Sequence, residues 1–210
     1  MNGHGRMLVA LSAVGSLLIW AALAASAGSI VVNGTAEVGP VATDDANVVA
    51  PQGWTTTGSF TGVRYGSSGV PGIDASAAIH GGVSMFAGGP NNASSAAWQS
   101  VKLPAVWVKA VAAGRGNARF TAALGGWEGQ PDAATVTYLF QDGGGATVGS
   151  IRLGPVTPQM RVNVTKLIAV SKTAVVPAST RSVKVTITAI RGSGAYNDGY
   201  ADNVGMTLVG

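Results

Sequence analysis

The sequence predicts an all-β protein, an antiparallel sandwich or barrel that follows an N-terminal signal peptide helix. Three observations predict it: many short β-branched runs, turn residues between them, and strict alternation of apolar and polar residues in the later runs. The chain has 210 residues, of which 31 are glycine, and only 10% are charged. Such small, glycine-rich and β-branched sequences suit short strands joined by tight turns.

The N-terminus has the layout of a secretory signal peptide. Arg6 provides a positive start, Met7 to Leu23 is an uninterrupted apolar run, and Ala25-Ser26-Ala27 supplies small residues for cleavage. We therefore expect residues 1–27 to be removed and residues 28–210 to form one secreted, extracellular β-sandwich domain. The alternative is a retained membrane anchor, since the run is about long enough to span a bilayer. No basic stop-transfer flank follows it, which favours cleavage.

Eight segments after the leader have strand character. Arg181 to Ile190 alternates best, with Val183, Val185 and Ile187 facing inward. Asp142-Gly143-Gly144-Gly145 predicts a hairpin turn between two of the others. The predicted strands are Ser29–Val32, Val83–Ala87, Ala96–Leu103, Arg119–Leu124, Thr135–Phe140 with Thr147–Leu153, Arg181–Ile190 and Met206–Val209.

The rest of the chain reads as loops with packed aromatics. Residues 39–74 are rich in glycine, proline, serine and threonine, which predicts long loops. Trp54 and Trp98 lie in apolar contexts and are expected in the core. Trp107 is expected beneath a loop. Residues 162–171 could form a short helix, but their β-branched content favours a strand.

Composition excludes several classes of function. The chain has no cysteine, so disulfides, thiolate nucleophiles and cysteine zinc sites are excluded. His80 is the one histidine of the expected mature chain, so no histidine-based triad can form within it. The formal net charge is +4, but no basic cluster with interleaved aromatics appears. We therefore expect no nucleic-acid partner, and membrane contact only through an uncleaved leader.

Several segments resemble galactose-binding-like jelly-roll domains of bacterial secreted proteins, similar to carbohydrate-binding modules. They are Asn33-Gly34-Thr35-Ala36-Glu37, Gly88-Gly89-Pro90-Asn91-Asn92-Ala93-Ser94-Ser95, Leu124-Gly125-Gly126-Trp127-Glu128 and the run from Ala195 to Val204. The chain is also distantly similar to F-box-associated sugar-binding domains. The resemblance covers residues 29–210, and its motifs specify the fold better than the ligand.

The resemblance implies a structural calcium ion. In similar modules a glutamate after the first strand and an aspartate before the last strand often share it, and Glu37 and Asp202 occupy those positions. Calcium takes six to eight oxygen ligands, so two carboxylates need turn carbonyls beside them. The alternative is that both side chains bond to backbone amides and hold no metal.

Two loops carry the candidate ligand-binding residues, because sugars need flat apolar faces and planar polar groups. The first holds Trp127, Glu128 and Asp132. The second holds Tyr196, Asn197, Asp198 and Tyr200. For Tyr200 the alternative is a core anchor, and for Asp198 it is a cap of its turn.

These residues favour a non-catalytic module that binds carbohydrate or a cell-surface glycan. One alternative is a structural or adhesive extracellular protein without a sugar site. Another is a glycoside hydrolase that uses Glu128 and Asp132 as acid and base, since two carboxylates suffice for that chemistry. Nothing near that pair in the sequence indicates the raised pKa that a general acid requires.

Overall fold

The computed structural model describes Met1 and residues 28–209. The rest of the predicted signal peptide lies outside the described residues. Within this part of the chain, no helix is long and apolar enough to cross a membrane.

Ten strands and two short helices make up residues 55–208. In chain order they are β1 (Thr55–Thr57), β2 (Thr61–Arg64), α1 (Ile73–Ala77), β3 (Ser84–Pro90), β4 (Ser94–Lys102), α2 (Ala105–Ala112), β5 (Asn117–Gly126), β6 (Ala133–Gln141), β7 (Thr147–Leu153), β8 (Lys166–Val175), β9 (Ser182–Ile190) and β10 (Tyr196–Leu208).

The strands form two five-stranded sheets. We call the sheet of order β2-β3-β10-β5-β8 the front sheet, and the sheet of order β1-β4-β9-β6-β7 the back sheet. All pairings between these strands are antiparallel. From β3 to β10 the chain distributes its strands between the two sheets in jelly-roll order. The predicted antiparallel jelly-roll sandwich is therefore confirmed.

The main core lies between the two sheets and follows from the alternation seen in the sequence. Phe120 from the front sheet meets Tyr138 from the back sheet edge-on, with ring centroids 5.0 Å apart. The Tyr138 hydroxyl donates to the Thr121 carbonyl at 3.1 Å and to the Gly205 carbonyl at 2.9 Å. A back-sheet side chain thus bonds to the backbone of two front-sheet strands and fixes how the sheets stack.

A second apolar cluster covers the other face of the front sheet. Met85 and Ala87 of β3 and Tyr200 of β10 contribute from the sheet. Residues 41–50 and 66–80, which we call the covering segment, contribute Ala42 and Val70. The front sheet therefore has packed layers on both faces along β2, β3 and β10.

Four predictions about local structure were wrong. Residues 39–74 were predicted as loops, but they contain β1 and β2. Ser29–Val32 is not a strand, because Val32 bonds instead to a side chain: its N–H donates to Gln99 Oε1 at 2.9 Å, and Gln99 Nε2 donates to its carbonyl at 2.8 Å. Neither helix was predicted. Trp98 does not enter the core, since it lies on the outer face of β4 with Lys184 Nζ 5.5 Å from its ring centroid. Residues 162–171 form no helix and enter β8, as favoured.

Candidate functional site

Strand β10 carries a row of alternating aromatic and acidic side chains on the outer face of the front sheet. Tyr196 and Tyr200 pack in the outer cluster, the Tyr200 hydroxyl donates to Asp198, and Asp202 accepts from Tyr65 of the same cluster, so the four side chains share one side although the strand has a β-bulge between Asn197 and Tyr200. Tyr200 and Asp202 are fully buried, and Asp198 is 5% exposed. The covering segment seals most of this row from solvent.

Asp198 is a buried carboxyl paired with a tyrosine. The Tyr200 hydroxyl donates to its Oδ1 in a short hydrogen bond. Burial raises the pKa of Asp198 to about 6, and Asp132 adds to the rise, while the Tyr200 hydrogen bond and Arg161 oppose it. Burial and the neighbouring Asp198 in turn raise the pKa of Tyr200. This pair belongs to the interior, and we propose no ligand contact for either residue.

Asp132 connects three backbone segments. Its Oδ1 accepts from the Gly192 and Ser193 amides at 2.8 and 3.0 Å, and its Oδ2 accepts from the Asp198 amide at 2.9 Å. The residue is fully buried. Both of its oxygens are engaged by backbone donors, so its role is to anchor the loop before β10 rather than to serve as an acid or base with Glu128.

Asn197 is also structural. It is fully buried, its Nδ2 donates to the Ala189 carbonyl at 3.1 Å, and its Oδ1 accepts from the Gly199 amide at 3.2 Å. Of the seven predicted ligand-binding residues, four are therefore interior groups: Asp132, Asn197, Asp198 and Tyr200.

The remaining three lie at the surface of the same end. Trp127 and Tyr196 are half-buried and pack against the outer cluster, while Glu128 is exposed. Glu128 has a φ of 39° and its amide donates to Thr165 Oγ1 at 3.0 Å. The two aromatic rings thus keep part of their surface available at one end of the front sheet.

Arg161 was missed by the sequence reading and organises this end. Its side chain is fully buried. Nη1 donates to the carbonyls of Glu128 at 2.6 Å and Val164 at 3.1 Å, and Nη2 donates to the Gln130 carbonyl at 3.0 Å. Burial lowers its pKa, whereas Asp132 and Asp198 oppose the change. A single arginine in a loop of prolines and polar residues carries no sequence signal for this role.

The open part of the front sheet forms a shallow groove that the sequence reading also missed. This front groove has a volume of about 420 Å³ and runs over β5 and β8. Its polar lining comes from Arg119, Thr121, Ser171 and Asn203, and its floor includes small residues such as Ala123. None of the predicted ligand-binding residues lines it. The sequence did hold a signal for this groove: because Phe120, Ala122 and Leu124 face the core, the residues between them face outward.

Trp127 extends the line of the front groove. Arg119, Thr121, Ala123 and Gly125 alternate along β5 on the outer face, and Trp127 is the next residue in that series. Trp127 therefore lies about four residues, or ~13 Å, beyond Ala123 on the same side of the sheet. Ala123 and Gly125, which lie between the groove and Trp127, are buried, so the ring stands on the line of the groove beyond a covered stretch of β5.

Glu37 and Asp202 approach the same pair of glycines. A Cβ atom on Gly81 would lie 2.5 Å from Asp202 Oδ2, and one on Gly82 would lie 2.6 Å from Glu37 Oε1. Burial raises the pKa of Asp202 to about 8, and the Glu37 charge contributes to the rise. The two acids, 165 positions apart in the numbering, are thus neighbours in space.

The donor set at these acids fits calcium in part. Glu37 Oε1 accepts from the Val83 and Ser84 amides, both at 2.9 Å. Asp202 accepts from the Tyr65 hydroxyl at 2.8 Å and the Asn203 amide at 2.6 Å. Among residues 28–209 no group of three or more acidic or histidine side chains could hold a metal. Two carboxylates with carbonyl or water oxygens could hold calcium. The hydrogen bonds from backbone amides to both acids, which the metal-free alternative expects, are present as well.

Comparisons with known proteins give structural neighbours only. No protein-family model matches the chain, and no curated protein matches it. One similar structure is the enzymatically active domain of bacteriophage CBA120 tailspike protein 4, with 14% identity and a TM-score of 0.47, covering 86% of this chain and 21% of that one. Another is the C-terminal family 22 carbohydrate-binding module of Clostridium thermocellum Xyn10B, with 13% identity and a TM-score of 0.42, covering 77% and 89%.

A third similar structure is described as CBM4, with 14% identity and a TM-score of 0.40, covering 86% of this chain and all of that one. The chain thus spans about a fifth of the tailspike chain and most or all of the two modules. Carbohydrate-binding modules, which the sequence resemblance names, are among the structures similar to this protein.

Proposed function

We propose that this chain is a non-catalytic carbohydrate-binding module whose ligand lies in the front groove. The observation that carries the proposal is the open groove over β5 and β8, with Trp127 at the end of its line. The outer cluster covers the other strands of that face and also buries Ala123 of β5 and Leu167 of β8, so the stretch around Arg119, Thr121 and Ser171 is where a ligand could reach the sheet.

The lining has the chemistry that sugars require. Arg119 is exposed and, with the Ser171 hydroxyl, offers donors for ring hydroxyls. The Thr121 hydroxyl already donates to the Asn203 carbonyl and Asn203 Nδ2 to the Ile79 carbonyl, so these two side chains contribute mainly acceptor oxygens. The alanines keep the floor low, so a flat ring can approach the sheet. The exposed part of Trp127 offers an apolar face for the C–H side of a ring.

The positions of the acids support binding without catalysis. Glycosidases face their substrate with two carboxyl groups about 5–9.5 Å apart. The front groove is lined by no aspartate, glutamate or histidine. Asp132 is sealed among backbone donors, and Glu128 is exposed outside the groove. A hydrolase would show turnover that Glu128→Gln abolishes, which is the measurement that would favour that alternative.

The binding test uses a panel of neutral polysaccharides in affinity electrophoresis, followed by calorimetry on those retained. We expect Trp127→Ala and Arg119→Gln each to weaken binding, and the matched control Lys109→Gln, at an exposed position on α2, to leave it unchanged. Melting temperature and circular dichroism establish that each variant folds. Retention of no glycan, or retention unaffected by both groove variants, would contradict the proposal and favour a structural or adhesive protein.

We also propose that calcium bridges Glu37 and Asp202 and that the mature protein is extracellular. The convergence of the two acids on Gly81 and Gly82 supports the first, since a cation would offset the cost of burying the Asp202 carboxylate, which chiefly raises its pKa, and the smaller repulsion from Glu37. The leader layout supports the second. Export from an expressing cell, with a mature N-terminus at Gly28, is the expected result, and a retained leader would contradict cleavage.

A further inference from the structure

The outer face of the back sheet is a flat surface of hydroxyl-bearing and basic side chains. Its residues alternate with buried core residues along β4, β6, β7 and β9, so they are partly or fully exposed across the sheet. We call it the back face. The covering segment packs on the front sheet, and the back face has no such layer among the described residues.

Strand register aligns the back face into rows. Thr55 pairs with Trp98, Trp98 with Thr186, Thr186 with Thr137, and Thr137 with Arg152. Trp98 and Arg152 therefore occupy one row, three strand spacings or ~14 Å apart. Two threonine hydroxyls lie between the ring and the guanidinium.

A neighbouring row repeats the hydroxyl pattern. Thr57 pairs with Ala96, Ala96 with Thr188, and Thr188 with Thr135. The four threonines Thr135, Thr137, Thr186 and Thr188 form a patch, and a groove of about 440 Å³ runs over three of them and Arg152. The patch presents donors and acceptors at the spacing of the strands.

The charge of the back face has one sign. Its cations are Lys102 on β4, Lys184 on β9 and Arg152 on β7, all at outward positions. None of the nine acidic residues of the chain lies in β1, β4, β6, β7 or β9. A second copy of the same face would meet like charges, so this charge pattern opposes self-association through it.

We propose that the back face binds an extended polysaccharide that carries carboxylate groups, such as a polymer of uronic acids. Arg152 can hold a carboxylate through two parallel hydrogen bonds, and Lys184 supplies a second cation two strands away. The threonine rows serve the ring hydroxyls between the charged groups. Trp98 supplies an apolar face at the far end, beside the Lys184 ammonium.

The spacing of the charges selects this occupant over nucleic acid. Duplex DNA carries one charge per ~1.7 Å of its axis and is bound by dense basic patches. The three cations here are separated by neutral hydroxyl groups, as the carboxylates of a uronic-acid polymer are separated by hydroxyl-bearing rings. This surface is distinct from the front groove, and the inference does not require the groove to bind.

The test measures retention of the full protein on immobilised polygalacturonate, with dextran as the neutral matrix. We expect retention at low salt, release at high salt, and a roughly tenfold weaker affinity in the double variant Arg152→Gln/Lys184→Gln. Adding Trp98→Ala to the double variant weakens the affinity for polygalacturonate further. Lys172→Gln and Arg64→Gln, which remove exposed charge from the front sheet outside the front groove, are the matched controls and leave the affinity unchanged.

Each other outcome overturns the inference in its own way. If polygalacturonate does not retain the protein, carboxylated polysaccharides are excluded as the ligand. If Lys172→Gln weakens retention as much as the back-face variants do, the binding depends on overall charge alone. Tighter binding of duplex DNA, lost in the same back-face variants, assigns the surface to nucleic acid, and concentration-dependent dimers lost in those variants assign it to a second copy. The front groove is tested with Trp127→Ala on neutral glycans, and the back face is tested with its own variants on polygalacturonate. A negative result for one surface therefore leaves the test of the other surface intact.

Discussion

Replacing Asp198 by asparagine should flatten the pH dependence of stability. The carboxyl lies under Tyr200, and burial first, then Asp132, raises its pKa from 3.8 to about 6. The folded protein therefore binds this proton more tightly than the unfolded chain does. The stability that this group contributes is complete below pH 4 and is lost as the pH rises through 6.

The size of the effect follows from the shift. A difference of about two pKa units corresponds to ~3 kcal/mol between the two ends of the window. Asparagine keeps the shape and can still accept the Tyr200 hydroxyl, but it does not ionise. The free energy of unfolding of Asp198→Asn, relative to the parent, should therefore increase by ~3 kcal/mol from pH 3.5 to 7.

Urea unfolding followed by tryptophan fluorescence at half-unit pH steps measures this difference. Chelator in every buffer keeps calcium from contributing. Asp74→Asn, at an exposed position in the first turn of α1, controls for the loss of one carboxylate. Parallel pH profiles for the parent and Asp198→Asn between pH 4 and 7 would refute the reasoning.

The remaining predictions concern single contacts. Tyr200→Phe removes the hydrogen bond that lowers the Asp198 pKa, so the pH at which stability is lost should move upward in the same urea series; an unchanged midpoint would count against that bond. Arg161→Met leaves three carbonyls without their donor and should cost about 3 kcal/mol of unfolding free energy, whereas a loss below ~1 kcal/mol would show that the loop holds without it. Tyr138→Phe should cost ~1–2 kcal/mol, because one hydroxyl bonds to two front-sheet carbonyls, and an equal stability would contradict the cross-sheet role. Calcium at one hundred times its dissociation constant should raise the melting temperature by roughly 5–10 °C, an increase that chelator or Glu37→Gln removes, and no shift in the parent would exclude the ion.

The sandwich could be predicted because its strands carry their own signals. The alternation of Val183, Val185 and Ile187 assigns one face of β9 to the core without reference to the rest of the chain. The turn at Asp142 was equally local, since its Oδ1 accepts from the Gly144 and Ala146 amides. Signals of this kind depend on residues a few positions apart.

The features that were predicted wrongly depend on contacts between distant parts of the chain. Trp98 obeys the same alternation as its neighbours, and its outward phase follows from the burial of Ala97 and Gln99, but its size favoured a core assignment. Helix α2 begins after Pro104 and buries Trp107 and Val111, which are four positions apart, a spacing hidden in an apolar, β-branched run.

The candidate site was predicted less well for a similar reason. Tyr200 and Asp198 have the composition of a sugar-binding loop, and they are interior because the covering segment lies on the front sheet. In the sequence that segment lies mostly within the predicted loops of residues 39–74, and nothing local indicates which surface it packs against. Arg161 likewise acts on carbonyls more than thirty positions away.

Because the protein has two separate apolar clusters, the covering segment can tolerate sequence changes that the sandwich core cannot. The cluster between the sheets involves nearly every strand, whereas the outer cluster joins the covering segment to one face of the front sheet. Lengthening, shortening or exchanging residues 41–50 and 66–80 would alter how much of that face is open while the sandwich keeps its own interior. Recognition of a new ligand could thus arise by remodelling a lid on an unchanged scaffold.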